Sequence, residues 1–270
     1  MTENILDAYR KIKADAIDKH PLSREIPSIE FGKPWELTGD WMIVGDVHVP
    51  STDWELAALV AEVAKKNLRK PRRLLIAGDL FNMDKFSFFP HIATPPTWTE
   101  ERAAAENLLS VWLHTFDEIR WFVGNHERRL QRLMVEVLET TDLLSVIIAN
   151  PKKAKFSNFS YCHIESAGQQ YIVVHPRNYS RNQLSVARLL SEKTKKHVIS
   201  FHEHHASIGW DHSGQLLLVN GGSLVDPEKV AYMRLDLSTL PISKPGFVML
   251  QSGVPTLFGP PPMTNWGYWI

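Results

Sequence analysis

Carboxylate, imidazole and amide side chains recur in this sequence directly after short hydrophobic runs. The clearest case is the run that ends at Val123, where Gly124 precedes an Asn-His-Glu triplet. A buried strand that stops and presents polar groups is how open α/β sheets build sites at strand ends. The polar residues presented in this way are Asp46, His48, Asp79, Asn125, His126, His175, His202 and His204.

These residue types are those that bind transition metals. Carboxylates and imidazoles are ligands of Zn, Mn, Fe and similar ions, and an Asn carbonyl is acceptable beside stronger ligands. In extended or turn geometry, the two-residue spacing of Asp46 with His48, and of His202 with His204, points both side chains of a pair to one side. Seven candidate ligands remain when His126 is set aside. They are too many for one ion and suit two ions that share a carboxylate.

Such a centre predicts hydrolysis of a phosphoester. Two metals about 3.5 to 4 Å apart clamp a phosphoryl group for in-line displacement, and a bound water can lose its proton near pH 7. The nucleophile would then be a metal-bound hydroxide, with no need for a serine or cysteine. The leaving oxygen still requires a proton. His126, next to Asn125, is the candidate general acid, a role typically worth about 10² to 10⁴ in rate.

The elements around these residues predict layered α/β structure with a mixed sheet core, because strands alternate with helices in the first half and helices become fewer later. Predicted strands cover 41–44, 73–77, 118–123, 155–165, 170–174, 197–200 and 216–219. Predicted helices cover 53–66, 129–138, 182–195 and a stretch through Leu113 that begins with a capping box formed by Thr97 and Glu100. Another apolar segment is predicted at 143–149.

The chain is predicted to be one domain, 37–250, with an extension at each end. Residues 1–36 predict an amphipathic helix followed by a proline-punctuated connection. Residues 251–270 are rich in proline and aromatics and are either an arm fastened to the domain or a disordered tail. The aromatic segment 81–96 predicts either a structured flap near the site or a cover over the core.

The composition excludes some classes of protein. Thirty basic and thirty acidic residues cancel, so no global field attracts nucleic acid or membranes. No apolar run approaches the ~18 to 20 residues of a membrane span, and the first residues do not resemble a signal peptide. The single cysteine, Cys162, fits a reducing compartment and is expected to be a small buried hydrophobe. We therefore expect a cytosolic protein, and the sequence leaves its oligomeric state open.

Five blocks, in order, resemble the calcineurin-like metallophosphoesterases: Gly-Asp-Val-His at 45–48, Gly-Asp-Leu-Phe-Asn at 78–82, Gly-Asn-His-Glu at 124–127, His175, and His-Glu-His at 202–204. The resemblance implies a four-layer α/β/β/α sandwich with a dinuclear metal centre. Mn is the first candidate, with Fe, Zn, Ni and Co as alternatives. It further implies that His126 contacts the phosphate and protonates the leaving group. The implied ligands are Asp46, His48 and His204 for one metal and Asn125, His175 and His202 for the other, with Asp79 bridging.

The sequence departs from the family pattern at several positions. Asn82 stands where many members have an aspartate that orients the catalytic histidine; its amide oxygen can still accept a hydrogen bond but carries no charge. Phe201 and Pro176 replace usual glycines. A third histidine, His205, leaves two choices for the last ligand, and the His-x-His pattern favours His204.

The second and third blocks are most similar to those of small stand-alone members common in phages and prophages. They differ from those of protein Ser/Thr phosphatases, and Gly-Asp-Leu-Phe is shared with double-strand-break repair nucleases. We expect a phosphodiesterase acting on a nucleotide or nucleic acid, with Arg128 and Arg177 contributing to substrate binding beside Asn125 and His126. Arg129 is a further candidate for the phosphate, and a solvated or salt-bridged role for the arginine pair is the alternative. The alternatives are a phosphomonoesterase or protein phosphatase with the same centre, and a non-catalytic scaffold.

Overall fold

A computed structural model describes residues 32–87, 93–129, 154–230 and 243–270. The chain divides into two units, Met1–Lys33 and Pro34–Ile270, and the architecture below is that of the second. The helix predicted within 1–36, nearly all of the helix at 129–138 and the apolar segment at 143–149 lie outside the described residues. These three remain predictions.

In the described part of the chain, twelve strands form two mixed six-stranded sheets. Sheet I has the strand order β12-β11-β2-β3-β4-β5, and sheet II has the order β1-β6-β7-β8-β10-β9. Strands β2 to β5 run parallel, whereas β11 and β12 are antiparallel additions at one edge of sheet I. The strands are β1 Glu36–Thr38, β2 Trp41–Val44, β3 Arg73–Ala77, β4 Glu118–Phe122, β5 Ala154–Ser157, β6 Tyr161–Ser166, β7 Gln169–Val174, β8 His197–Ser200, β9 Ala206–Trp210, β10 Leu217–Gly221, β11 Phe247–Gln251 and β12 Val254–Phe258.

Helices cover the outer faces of both sheets. Helix α1 (Trp54–Asn67) begins at Asp53, whose side chain accepts a hydrogen bond from the Leu56 amide. Helix α2 (Trp98–Thr115) begins with the predicted capping box of Thr97 and Glu100. Both pack on sheet I, and α3 (Ser185–Thr194) packs on sheet II. Among the described residues, no helix combines the length and apolarity that a membrane crossing requires.

The alternation of side chains along each strand divides the interior into separate apolar layers. Successive residues of a strand face opposite sides of its sheet, so Met42 and Val44 of β2 contact the helix-side core, whereas Trp41 and Ile43 enter the core between the sheets. A third apolar cluster lies between sheet II and α3. The layers therefore run helix, sheet, sheet, helix, and the predicted four-layer α/β/β/α sandwich is confirmed. Cys162, a free thiol, is buried between the sheets as expected.

One predicted strand is wrong in extent. The stretch predicted as one strand at 155–165 forms two strands that belong to different sheets, since β5 pairs with β4 and β6 pairs with β7. Residues 158–160 bend between them. Alternating hydrophobicity reports that a segment is extended, but it does not report which sheet the segment joins. This bend carries the chain from sheet I to sheet II.

The C-terminal residues form part of the sandwich. Val254–Phe258 pairs with β11 as the edge strand β12, and a last short helix, α4 (Trp266–Trp269), packs against the helix-side core through Trp266 and Trp269. In the segment predicted as a flap or cover, Phe81 is part of the same core and Phe86 packs against it. Residues 88–92 of that segment lie outside the described residues.

The helix-side core yields a stability prediction. Trp112 of α2 is fully buried, and its indole N–H donates to the Ala57 oxygen of α1 at 3.1 Å. Trp112→Ala should lower the free energy of unfolding by about 3 to 5 kcal/mol, because it removes apolar contacts and leaves a cavity. Urea denaturation measures this change.

The neighbouring Val111→Ala is the control. Val111 is 57% exposed on the same helix, so its truncation should change stability by no more than about 0.5 kcal/mol. Equal losses from the two substitutions would contradict the packing described for α2.

Candidate metal centre

The ends of three parallel strands of sheet I lie side by side. Asp46 and His48 follow β2, Asp79 follows β3, and His126 follows β4. The first two loops are joined by main-chain hydrogen bonds, including the His48 amide to the Asp79 oxygen at 3.0 Å. The Asp79 carboxylate then accepts a hydrogen bond from the His126 amide at 2.9 Å. The polar groups predicted at these strand ends therefore lie next to one another.

Sheet II supplies the remaining histidines from the opposite side. His175 follows β7, and its Nδ1 lies 3.0 Å from the Ala77 oxygen of β3. Since a carbonyl oxygen can only accept, Nδ1 donates and Nε2 is left facing the carboxylates. His202 follows β8, and its amide donates to Asp46 Oδ2 at 2.7 Å. The site thus lies across the two sheets.

Five of the predicted ligands have left-handed backbone conformations. Non-glycine residues rarely adopt positive φ, and the strain costs of order 1 to 3 kcal/mol each. Such strain persists where surrounding contacts over-determine it, and it clusters at functional sites. The φ values are 49° for Asp46, 49° for His48, 51° for Asp79, 81° for His202 and 52° for His204.

The ligand atoms fall into overlapping groups. Asp46, His48 and His204 form one group and Asp79, His175 and His202 another, and within each group the potential ligand atoms lie within 4.8 Å of one another. A third group of the same kind, His48, Asp79 and His126, shares one residue with each of the first two. Asp79 Oδ2 is 3.2 Å from His175 Nε2 and 3.9 Å from His48 Nε2, so this carboxylate lies next to both groups.

Asn125 joins the second group through a side-chain contact. Its Oδ1 lies 2.8 Å from His175 Nε2. The first two groups hold residues that the family resemblance assigned to separate metals, and that assignment stays a prediction. All seven predicted ligands are therefore brought together at the strand ends.

Buried polar atoms without partners show that this donor set fits metal ions. Asp46 Oδ1 and both ring nitrogens of His48 are buried and have no hydrogen-bond partner. Asp46 Oδ1 faces His204 Nε2 at 3.3 Å and His48 Nε2 at 3.6 Å. Unpaired buried polar groups are costly, and a cation among these nitrogen and oxygen atoms would satisfy them. The residues fit a divalent metal centre.

The negative charges of the two aspartates and the positive charges of the neighbouring histidines stabilise one another. Burial raises the pKa of Asp46, but the adjacent His204 and His175 outweigh it and hold that pKa well below its usual value. The pKa of Asp79 is lowered in the same way, chiefly by His175. Burial lowers the pKa of His175, yet Asp79 and Asp46 raise it to about 10. A divalent cation would compete with a proton for His175 Nε2.

His126 is held differently from the prediction. The sequence suggested that the Asn82 amide oxygen would orient this ring, but the main-chain oxygen of Asn82 lies 2.5 Å from His126 Nδ1 instead. The Asn82 side chain turns away and donates to Asp84 Oδ2 at 2.8 Å. The reason is local, because the chain enters a short 3₁₀ helix at Asp84–Phe86 directly after Asn82 and Met83.

Two buried glutamates support the site, and their contacts were not predicted from the sequence. Glu127 accepts hydrogen bonds from the main-chain amides of Gly124, Asp79 and Phe81 at 2.8 to 3.2 Å. Burial, together with Asp79, raises the pKa of Glu127 to about 8. Glu203 accepts from the Ser180 amide and from the Asn220 side chain, both at 3.0 Å. Only their positions between or beside predicted ligands signalled these roles.

The structure shows which of the two adjacent histidines, His204 or His205, joins the donor groups, and how a phenylalanine fits at position 201. His204 lies with Asp46 and His48, whereas His205 is buried and its ring is not part of those groups. Phe201 occupies the space in which a Cβ atom on Gly45 or Gly221 would lie. The large ring at 201 is therefore accommodated by glycines on two other segments.

The residues predicted to bind substrate are less tightly grouped. Arg128 Nη2 donates to the main-chain oxygen of Asn158 at 3.0 Å, and Arg177 is exposed on the segment after His175. On the same segment, Tyr179 is 45% exposed, and its ring centroid lies 6.4 Å from that of His202. An aromatic surface thus adjoins the metal-ligand groups.

Comparison with known proteins identified one family and several similar solved structures. The family described as Calcineurin-like phosphoesterase matches residues 41–233, and no curated protein gives a significant match. Vacuolar Protein Sorting 29 from Cryptosporidium parvum is 12% identical, with a TM-score of 0.44 over 82% of this chain and 98% of that one. The Entamoeba histolytica Vps29 complexed with Zn²⁺ is 12% identical, with a TM-score of 0.40 over 81% and 97%.

The position of Asp79 yields a metal-binding prediction. Asp79→Asn should lower the metal content after equilibration with Mn²⁺ from two ions per chain to one or fewer, because a neutral amide is a weaker ligand between two cations. Elemental analysis of the desalted protein measures the ratio.

Asp53→Asn is the matched control. Asn caps a helix about as well as Asp, so this variant should keep its fold and its metals. Two ions retained by Asp79→Asn would contradict a bridging role for that carboxylate.

Proposed function

This chain belongs to the calcineurin-like phosphoesterase family, and we propose that it is a metal-dependent phosphodiesterase acting on a substrate of the nucleotide or nucleic-acid type. The observation that carries the proposal is the convergence of seven nitrogen and oxygen donors from both sheets, with the Asp79 carboxylate next to both ligand groups. Such a centre needs no serine or cysteine as a nucleophile.

We assign the ligands from these groups. Asp46, His48 and His204 would hold one ion, and Asn125, His175 and His202 would hold the other, with Asp79 shared between them. When bound, two such ions neutralise charge on a phosphoryl group and activate water for in-line attack. The resident metal is proposed to be Mn²⁺, and the cytosolic location remains a prediction from the sequence.

The chain's own residues orient the ester and supply a proton to its leaving oxygen. His126 lies beside the donor groups, with its Nε2 3.8 Å from Asp79 Oδ2. Burial, the largest influence, holds the pKa of His126 well below its usual value, so the ring is neutral without substrate. A phosphate anion beside the ring favours its protonated form. His126 would take up this second proton from solvent on Nε2 and give it to the leaving oxygen.

The surroundings favour a substrate of the nucleotide type. Tyr179 is exposed beside His202, and an aromatic ring of this kind can stack on a base. Arg177, two residues earlier and also exposed, can meet a further phosphate. The likeness of the second and third sequence blocks to small phage-type members agrees with a stand-alone enzyme of this class.

The experiment compares two chromogenic esters with Mn²⁺ present. The value of kcat/KM for bis(p-nitrophenyl) phosphate should exceed that for p-nitrophenyl phosphate by about tenfold or more, a typical ratio for a pocket that gains one recognition contact. The reverse order would favour the phosphomonoesterase alternative. Metal-loaded protein that cleaves neither ester would favour a scaffold.

A substitution tests the role of His126. His126→Ala should retain both metals and lose about 10² to 10⁴ in kcat on an ester with a poor leaving group. The loss should be smaller on a nitrophenyl ester, since nitrophenolate leaves without a proton. His114→Ala, an exposed histidine on α2, should leave turnover unchanged. Equal losses on good and poor leaving groups would contradict the assignment.

A further inference from the structure

Arg129 makes three hydrogen bonds at the edge of the donor groups. Its Nη1 donates to the Asn82 main-chain oxygen at 3.1 Å and to Asp84 Oδ1 at 2.8 Å. Its Nη2 lies 3.0 Å from His126 Nε2. The side chain is only 17% exposed. One nitrogen of the guanidinium is therefore anchored, and the other faces the histidine that the proposed function places on the substrate.

These contacts leave one arrangement of hydrogens. A guanidinium has only donors, so His126 Nε2 must accept from Arg129. A main-chain oxygen has only lone pairs, so His126 Nδ1 must carry the proton that bonds to Asn82. The ring is held at both nitrogens. For Nε2 to give a proton to a leaving oxygen, it must first take up a proton from solvent, and the Arg129 N–H must leave it. That N–H is then free to meet another oxygen of the same phosphate.

Asp84, which anchors Arg129, lies on a turn that is held in place by further hydrogen bonds. Asp84 also accepts a hydrogen bond from the Asn82 side chain at 2.8 Å. The preceding Met83 amide donates to Glu101 of α2 at 2.8 Å, and Glu101 is buried. The turn that carries Asp84 is thus joined to a long helix, and Asp84 holds the guanidinium in a fixed direction.

The neighbouring arginine is differently placed. Arg128 Nη2 donates to Asn158 on the bend between β5 and β6, whereas Arg129 Nη2 contacts a residue of the site. A planar guanidinium presents paired N–H groups that match phosphate oxygens. Arg129 is thus an arginine with a described contact to His126.

We propose that Arg129, held by Asp84, binds the phosphate of the substrate and in its absence bonds to His126 Nε2. This inference rests on the proposed phosphoesterase centre. It assigns Arg129 contact with a phosphoryl oxygen and assigns Asp84 a positioning role. The sequence left the choice between Arg128 and Arg129 open, and the inference assigns the phosphate contact to Arg129.

Binding of inorganic phosphate to the Mn²⁺-loaded full-length protein tests the inference without turnover. By calorimetry, Arg129→Ala should raise the Kd for phosphate about 10- to 100-fold, the range for losing a hydrogen bond to a charged group. Arg129→Lys should recover part of the loss, since it keeps the charge but not the fork. Asp84→Asn should raise the Kd by a smaller factor, and Arg128→Ala should have less effect than Arg129→Ala.

Kinetics with the diester supply the second measurement. Arg129→Ala should lower kcat/KM by a factor similar to its loss of phosphate affinity, with metal content and melting temperature unchanged. If Arg129→Ala misfolds, Arg129→Lys takes its place, and an unaltered phosphate Kd in that variant counts against the inference.

The outcomes separate the two proposals. A phosphate Kd unaffected by Arg129→Ala, or more affected by Arg128→Ala, overturns the role of Arg129, as does wild-type protein that binds no phosphate. Wild-type protein that binds phosphate through Arg129 but hydrolyses neither ester overturns the proposed function alone.

Discussion

Two carboxylates buried side by side set the main constraint on this structure. Asp46 and Asp79 are 0% and 1% exposed at the ends of neighbouring strands, and buried carboxylates are costly unless positive charge lies beside them. The compensating histidines, His175 and His204, come from the other sheet. The site therefore depends on the apolar layer between the sheets, because that layer sets the distance at which the two sets of side chains meet.

The supporting hydrogen bonds explain how strained loops keep one geometry. Glu127 binds main-chain amides from two loops of sheet I, and Glu203 joins the loop after β8 to the segment after β7 and to β10. Groups that orient metal ligands in this way affect a centre nearly as much as the ligands do. Two glutamates thus offset part of the cost of left-handed backbone at the ligand positions.

Much of the fold and the set of candidate ligands could be predicted from the sequence. Apolar runs that stop at glycine give strand ends, and parallel strand ends share one edge of a sheet, so Asp46, Asp79 and Asn125 were expected together. The contacts of Arg129 and Asp84 could not be predicted, because they depend on how the turn after Asn82 directs its side chains. The bend at 158–160 was missed for a similar reason, since the choice of sheet is a tertiary property.

The ring of Phe201 has a consequence for how this centre can vary. It fills space beside Gly45, which precedes the first ligand, and Gly221, which ends β10. Three distant segments of the chain thus share a single volume next to the ligands. A larger residue at either glycine would have to be matched by a smaller one at 201. Positions 45, 201 and 221 are therefore expected to change together, so that the spacing of the metal ligands is kept while individual residues differ.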